Sequence, residues 1–342
     1  MDASPDIIEV VPGILRLQLP IDFTGLGHVN TYALEDEKGF TLVDPGLPGE
    51  ESWNALLGRM DAAGIPLRRV HTIVVTHSHP DHFGGAGLLA QESGGAIVAS
   101  DRFRTFFDPA DIDDRELEAA DDIDPDESPI PSIRIERPAP WGGSMVGPPP
   151  KERAKMLAHK DQFFKWFKPP RPSRRVADCD HITLGGRDWV GLFTSGHTDD
   201  HLCLYDEEGG VLLAGDQVLP TITPHISGLI PGNPLALYIE SLDRLSGLPQ
   251  VSTVLPAHGQ PFHDLAGRAE EIKRHHDERL ARVLEICDTA GWANVIEVSH
   301  ELFAPRSWGS MAEAETFAHL EHLRAMGQVQ RREEAGILLY HL

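Results

Sequence analysis

The chain has 342 residues, 41% of them hydrophobic, and carries a formal net charge of −23 at pH 7. This length and apolar content predict a large folded core with a smaller additional unit. The acidic balance argues against a nucleic-acid partner, because phosphate backbones and such a surface repel each other.

We expect neither a membrane span nor an export signal. There is no run of about 18 apolar residues, so we expect no membrane span. The start, MDASPDIIEV, lacks a basic region followed by an apolar segment, so we expect no signal peptide. The three cysteines (Cys179, Cys203 and Cys287) are widely spaced and odd in number, which indicates reduced thiols and a cytoplasmic location.

The first part of the chain predicts several strands. Residues 7–19 and 29–43 predict a run of strands with turns at Pro12-Gly13 and Glu37-Lys38-Gly39. Strand 40–43 ends in Asp44, which is placed to hold the second ring nitrogen of a ligand histidine; an ordinary turn aspartate is the alternative. A short helix is predicted over 50–63.

A cluster of histidines follows the next strand. Residues 70–75 predict a buried strand, and the sequence then reads THSHPDH over 76–82, before a helix over 84–93 and a strand over 96–99. Three imidazoles and a carboxylate on one loop suit zinc, iron or manganese, and the absence of cysteine there argues against a closed structural zinc site. A surface loop rich in histidine is the weaker alternative, because this loop follows a buried strand. The loop therefore predicts a metal site.

Residues 101–178 interrupt the regular pattern. An acidic limb (residues 108–127) precedes a Pro/Gly-rich centre (129–150) and a basic, aromatic limb (151–175), in which 150–168 predicts an amphipathic helix. The two charged limbs either neutralise each other on the surface or form a lid over the metal site. A lid would suit a small-molecule substrate with an anionic tail.

Sheet structure resumes after this insertion. Strands are predicted over 181–193, 202–205, 211–214 and 252–255, with a helix over 234–247. Three of these strands lead into polar residues that are able to bind a metal, namely His197, Asp216 and His258. Because the ends of neighbouring strands meet at one edge of a sheet, we expect these side chains to converge with the 76–82 loop.

These motifs resemble the metallo-β-lactamase superfamily. The resemblance rests on His77-x-His79-x-Asp81-His82, on His197 in SGHTDDH, on Asp216 in LAGDQ and on His258 in PAHG, with Asp44 in LVDPG as a further match. The details are most similar to glyoxalase-II-like hydrolases that carry a C-terminal winged helix. The implied fold is α+β: an αββα sandwich over residues 1–265, including the insertion 101–178, followed by a winged-helix-like domain over 266–342.

The resemblance also implies the roles of the site residues. It places His77, His79 and His197 on one metal ion and Asp81, His82 and His258 on a second, with Asp216 bridging the two. Two Zn²⁺ ions about 3.5–4 Å apart would share a hydroxide that attacks the substrate, with iron or manganese as alternatives. Asp81 would orient that hydroxide and relay its proton. His201 and His225 remain without a role, and His225 is either a substrate contact or a solvated loop residue.

The C-terminal part predicts helices over 268–287, 294–303 and 311–326, followed by a hairpin that turns at Glu334-Ala335-Gly336. Helix, helix and hairpin is the winged-helix order. Such modules bind DNA or serve in packing and dimerisation. In a chain this acidic we favour packing, and a homodimer remains open.

Four functions compete. The first is a dinuclear hydrolase of a small ester, thioester or lactone. The second is a phosphodiesterase or nuclease with the same metals. The third is a mononuclear iron persulfide dioxygenase, which a full second set of ligands disfavours. The fourth, a DNA-binding regulator, rests on the winged helix alone. The motifs do not name the substrate, because one site type serves many reactions.

Overall fold

The computed structural model describes residues 3–21, 26–104, 135–147 and 165–342. The acidic limb of the insertion and most of its basic limb, including Lys160, Phe163, Phe164 and nearly all of the predicted helix 150–168, lie outside the described residues. Among the residues described, no helix has the length and apolar character needed to cross a bilayer.

The described strands up to residue 176 include those of the first sheet and one separate hairpin. In order they are β1 Ile8–Val11, β2 Ile14–Pro20, β3 His28–Asp36, β4 Gly39–Val43, β5 Val70–Val74, β6 Ala96–Ser100, β7 Ile135–Pro138, β8 Ser144–Gly147 and β9 Arg174–Val176. Seven of them form a sheet in the order β1-β2-β3-β4-β5-β6-β9. Strands β1 to β4 pair antiparallel, whereas β4, β5, β6 and β9 run parallel. The carboxyl ends of β4 and β5 therefore lie side by side.

The second sheet contains β10 His181–Leu184, β11 Arg187–Phe193, β12 Leu202–Asp206, β13 Val211–Gly215 and β14 Thr253–Pro256, in that order. Strands β13 and β14 are parallel, so their carboxyl ends also lie together. A tight turn at Gly185-Gly186 joins β10 to β11, which pair antiparallel within the predicted strand region 181–193.

Helices cover both sheets, and apolar side chains fill three separate interfaces. The helices are α1 Glu50–Ala62, α2 Pro80–Phe83, α3 Ala86–Ser93 and α4 Pro234–Ser246. Residues such as Ile14 and Trp189 fill the space between the sheets. Leu56 of α1 packs on the outer face of the first sheet, and Leu242 of α4 packs on that of the second. The result is the expected mixed α+β arrangement of two sheets between helices, driven by burial of both faces of each sheet.

The C-terminal part contains α5 Leu265–Ala290, β15 Ala293–Asn294, α6 Val295–Leu302, α7 Ser310–Ala325, β16 Gln330–Glu334 and β17 Ile337–His341. Its strands form a sheet in the order β15-β17-β16. A reciprocal pair of hydrogen bonds between Asn294 and Glu297 caps α6. Apolar residues of α5 and α7, such as Ile272 and Leu320, belong to the same buried cluster as Leu212 of the second sheet. These helices therefore pack directly on the sandwich.

Both ends of the insertion lie beside the predicted metal loop. Strand β9 pairs with β6 at the edge of the first sheet, so the chain leaves the sheet and returns to it at neighbouring positions. Phe103 near the start of the insertion and Phe167 near its end are both buried, and each ring centroid lies 6.2 Å from that of Phe83. Phe83 directly follows the histidine loop.

The middle of the insertion contacts the C-terminal part. Strands β7 and β8 form a hairpin, and Trp141 at its turn is 2% exposed. The Trp141 ring lies 5.3 Å from that of Phe317 in α7, and the carbonyl of Trp141 accepts a 2.9 Å hydrogen bond from the Leu338 amide. The described hairpin of the insertion thus packs against the C-terminal part of the chain.

We predict that Trp141→Ala weakens this contact. Removing a buried indole should lower the free energy of unfolding by about 3 kcal/mol, and residues 135–147 should become sensitive to protease. The exposed Trp308 is a matched control, since its replacement by Ala should cost less than about 1 kcal/mol. Equal losses in denaturant titrations of the two variants would contradict the docked hairpin.

Candidate metal centre

Four strand ends bring the predicted metal-binding residues to one place. The loop after β5 carries His77 and His79, and helix α2 then begins at Pro80, whose fixed φ suits the first helical position. This helix start presents Asp81 and His82 towards the ends of β13 and β14. The other residues come from the β11–β12 loop (His197), the end of β13 (Asp216) and the end of β14 (His258). All seven sequence-predicted residues lie in two adjacent groups.

The first group consists of His77, His79, His197 and Asp216. Nδ1 of His79 lies 3.0 Å from Nε2 of His77 and 3.1 Å from Nε2 of His197. Oδ2 of Asp216 lies 3.5 Å from the same His197 nitrogen. Nitrogen ligands about 2.1 Å from a tetrahedral zinc would be roughly 3.4 Å apart, so these four atoms are spaced as a ligand set.

The second group consists of Asp81, His82 and His258. Oδ2 of Asp81 is 3.5 Å from Nε2 of His82 and 3.4 Å from Nε2 of His258. Asp216 also reaches this group, because its Oδ1 is 3.3 Å from His258 and its Oδ2 is 3.5 Å from His82. One carboxylate therefore stands between the two groups.

Asp44 holds His82 from behind, as its position at the end of β4 predicted. Its Oδ2 accepts a 2.9 Å hydrogen bond from Nδ1 of His82 and a 2.7 Å bond from the Thr76 hydroxyl. Its Oδ1 accepts a 2.8 Å bond from the Thr76 amide. The φ of Asp44 is 53°, a strained value for a residue with a side chain, which these three bonds maintain.

The other ligand candidates are oriented in the same manner. Nδ1 of His77 donates to the Thr76 hydroxyl at 3.0 Å, and Nδ1 of His197 donates to the carbonyl of His225 at 2.8 Å. Nδ1 of His258 donates to the carbonyl of His28 at 2.6 Å. Each bond fixes the ring and directs its Nε2 atom towards the centre.

The sequence analysis did not predict several residues that hold the ligand loops in place. The Asn30 side chain donates to the carbonyls of Pro256 at 2.8 Å and Gly259 at 2.9 Å, which fixes the His258 loop. The Ser78 hydroxyl donates to Asp200 at 3.0 Å and links the two histidine loops. The sequence signal for them was that the polar residues His28 and Asn30 lie in the predicted strand region around 29–43, where β3 buries both.

His201 lies behind the centre and belongs to neither group. Its Nδ1 pairs with the Thr194 hydroxyl at 2.8 Å, and its Nε2 accepts the Asp216 amide at 3.1 Å. It therefore positions the backbone of Asp216. The nearby Gly196 is required, because a Cβ there would lie 2.4 Å from the Cβ of Tyr238.

The two groups differ in electrostatics. Burial, together with neighbouring imidazoles, lowers the pKa of His77 well below its ordinary value and that of His79 to about 3. Burial alone would also lower the pKa values of His82 and His258. The carboxylates of Asp81 and Asp216 outweigh it, so the pKa of His82 is well above its ordinary value and that of His258 is raised to about 10. The first group is ready to bind a cation, whereas the second is neutralised by its own protons.

The donor set fits a bound metal. Nε2 of His82, Nε2 of His258 and Oδ1 of Asp216 are buried and have no hydrogen-bond partner within the described parts of the chain. Buried polar atoms are normally satisfied, so three such atoms aimed at one point indicate a missing partner. A cation would satisfy all of them, and the nitrogen and oxygen donors suit zinc, iron or manganese.

Comparison with known proteins agrees with this geometry. The family described as Metallo-beta-lactamase superfamily matches residues 24–258. The Probable metallo-hydrolase YqjP of Bacillus subtilis (strain 168) is 26% identical over 330 residues, covering 91% of this chain and 92% of that protein.

Solved structures extend the similarity to the C-terminal part. A metallo-beta-lactamase family protein of Thermus thermophilus has a TM-score of 0.73 at 28% identity, covering 97% of this chain and 99% of that one. A beta-lactamase domain protein of Burkholderia ambifaria has a TM-score of 0.75 at 29% identity, covering 100% of this chain and 96% of that one. The shared architecture thus includes the helices after β14.

We predict that Asp216→Ala loses more than one equivalent of metal, because this carboxylate reaches both groups. The matched variant His258→Ala should lose metal mainly from the second group. Metal content after gel filtration, measured by plasma emission, checks both variants. Two tightly retained ions in Asp216→Ala would exclude a shared ligand.

We also predict that metal binding to the two groups depends differently on pH. Ligand histidines must be neutral, so a metal entering the second group displaces a proton from each of His82 and His258. Raising the pH from about 6 to 8 should therefore increase affinity more steeply for the second group than for the first. Titration with zinc and a competing chelator at several pH values measures both slopes, and equal slopes would contradict the protonation difference.

Proposed function

The chain belongs to the metallo-beta-lactamase superfamily and is a metal-dependent hydrolase, and we propose on this basis that it uses two metal ions to cleave a small ester, thioester or lactone. One observation carries the proposal: two groups of ligand candidates stand side by side, and Asp216 reaches both. A single-metal site would leave the buried polar atoms of the second group unsatisfied.

His77, His79 and His197 would hold one ion, and Asp81, His82 and His258 the other, with Asp216 shared. We propose Zn²⁺ for both, and the donors also accept iron or manganese. When bound, such ions lower the pKa of a water molecule and polarise the scissile bond. The protein would supply rigid imidazoles through Asp44, Thr76, His28 and the carbonyl of His225.

Asp81 is the proposed proton-transfer group. Its side chain is 15% exposed, against 8% for Asp216, so it is the more accessible of the two carboxylates. The carboxylate would orient the attacking water, accept its proton and pass the proton to the leaving group. Burial alone would raise the pKa of Asp81, but His82 and His258 lower it, so the carboxylate is ionised at neutral pH.

We further propose the finer classification. The glyoxalase-II-like subgroup is supported by the SGHTDDH and LAGDQ motifs, and the winged-helix-like domain over 266–342 by its helices and three-stranded sheet. The catalytic domain would then span residues 1–265. The acidic chain favours a packing role for the C-terminal domain over nucleic-acid binding, with homodimer formation as an alternative use.

The insertion 101–178 is the proposed source of substrate selectivity. The proposal is supported by its two described ends, which pack on Phe83 directly after the histidine loop. A small substrate with an anionic tail would suit the basic residues of its last limb. A cytoplasmic location remains part of the proposal.

The second candidate, a phosphodiesterase or nuclease, would use the same ions. The third, an iron persulfide dioxygenase, would bind one iron per chain and leave Asp81 and His258 without a role. Metal analysis separates two zinc ions from one iron. A panel of thioesters, lactones, a β-lactam and bis(p-nitrophenyl) phosphate then separates the two hydrolases.

We predict that Asp81→Asn retains the fold and keeps much of the metal but lowers kcat by about 10²–10⁴, the usual size of an acid-base contribution. Asp199→Asn is the matched control, because Asp199 lies near His197 but is 61% exposed and pairs with Arg102. Steady-state kinetics on the best substrate of the panel measures both variants. Wild-type turnover in Asp81→Asn would place the proton transfer elsewhere.

A further inference from the structure

A line of contacts leads from the C-terminal helices to His197, outside the ligand groups themselves. It begins at the segment 216–233, which joins β13 to α4 and contains neither helix nor strand. Within this segment the carbonyl of His225 accepts the 2.8 Å hydrogen bond from Nδ1 of His197. The position of that carbonyl therefore decides how the His197 ring is turned.

The side chain of His225 is held by α7. Nδ1 of His225 lies 3.1 Å from Oε2 of Glu315, and the other oxygen of Glu315 pairs with Arg279 of α5. The Glu315 carboxylate is largely buried, and burial alone would raise its pKa. The bond from His225 and the charge of Arg279 outweigh burial and lower the pKa to about 2, so Glu315 is ionised at neutral pH.

Other bonds from the C-terminal part hold the same segment. Arg268 of α5 donates to the carbonyls of Leu219 at 2.7 Å and Ile222 at 2.9 Å. The Gly228 amide donates to the carbonyl of Ala314 at 2.9 Å, and a Cβ on Gly228 would lie within 2.7 Å of Phe317. Segment 216–233 is thus anchored to α5 and α7 on both sides of His225.

We propose that Glu315 is a positioning residue of the metal centre, which acts through His225 on the ring of His197. The proposal rests on the proposed function in one respect, because it takes His197 to be a ligand. Residues beyond 265 would then help to orient a metal ligand. The contact from Trp141 to Phe317 adds the insertion to the same support.

The test measures metal affinity in the purified full chain. Glu315→Ala should weaken binding of the first equivalent of Co²⁺ or Zn²⁺ about 10- to 100-fold, the usual effect of losing an outer-shell partner. The visible absorption of the Co²⁺ form should change, because a turned imidazole alters the ligand field. Glu315→Gln keeps an oxygen that accepts from His225, so it should recover most of the affinity.

His225→Ala gives an independent measurement if Glu315→Ala folds poorly. Any residue at position 225 still offers a carbonyl, so this variant removes only the anchor. It should match Glu315→Ala, and the double variant should be no worse than either single one, because both remove one interaction. Additive losses would show that the two residues do not act together.

Glu321→Ala is the matched control, since Glu321 lies on the same helix but pairs with Arg331 and Tyr340, away from the segment. It should lower Tm and leave metal affinity within about twofold. The inference is overturned if Glu315→Ala leaves affinity unchanged, or if Glu321→Ala lowers it equally. His197→Ala is measured in parallel: if that variant also keeps its affinity, the proposed ligand set falls together with this inference.

Discussion

The carboxylate of Asp216 is the constraint around which the centre is built. It is buried at the end of β13, and a buried unpaired carboxylate would cost several kcal/mol. Three imidazoles from three different segments surround it: His82, His197 and His258. The three imidazoles lie on segments that do not pair with one another as strands, so their approach depends on these polar contacts. The negative charge of Asp216, at the end of β13 in the second sheet, therefore attracts His82 from the loop after β5 in the first sheet, and this contact links the two sheets at one edge.

This arrangement gives the two groups different properties without metal. In the second group the imidazolium forms of His82 and His258 compensate Asp81 and Asp216. In the first group the imidazoles of His77 and His79 stay neutral, because burial and neighbouring rings disfavour their charge. The second group therefore contains its own compensating positive charge, which a bound cation would replace, whereas the first group does not.

Much of the fold and site follows from local pattern. Apolar runs that end in Asp44, His77 or Asp216 predict strand ends, and parallel neighbours bring such ends together. The helices after residue 265 follow from their spacing of apolar residues. Contacts between distant segments could not be predicted, because no local rule links Asn30 to the His258 loop or Glu315 to His225. Their partners become neighbours only after the sheets and helices have packed.

The same reasoning applies to the boundary proposed at residue 265. The chain changes topology there, yet the apolar core continues across it: Ile272 and Val283 of α5 belong to one cluster with Leu212 of the second sheet. Without α5 and α7, the apolar surface that they share with the second sheet and α4 would face water, and burying such surface is the main driving force of folding. Segment 216–233 would also lose its bonds to Arg268, Ala314 and Glu315. The C-terminal helices therefore stabilise the sandwich and orient a ligand candidate through one and the same interface.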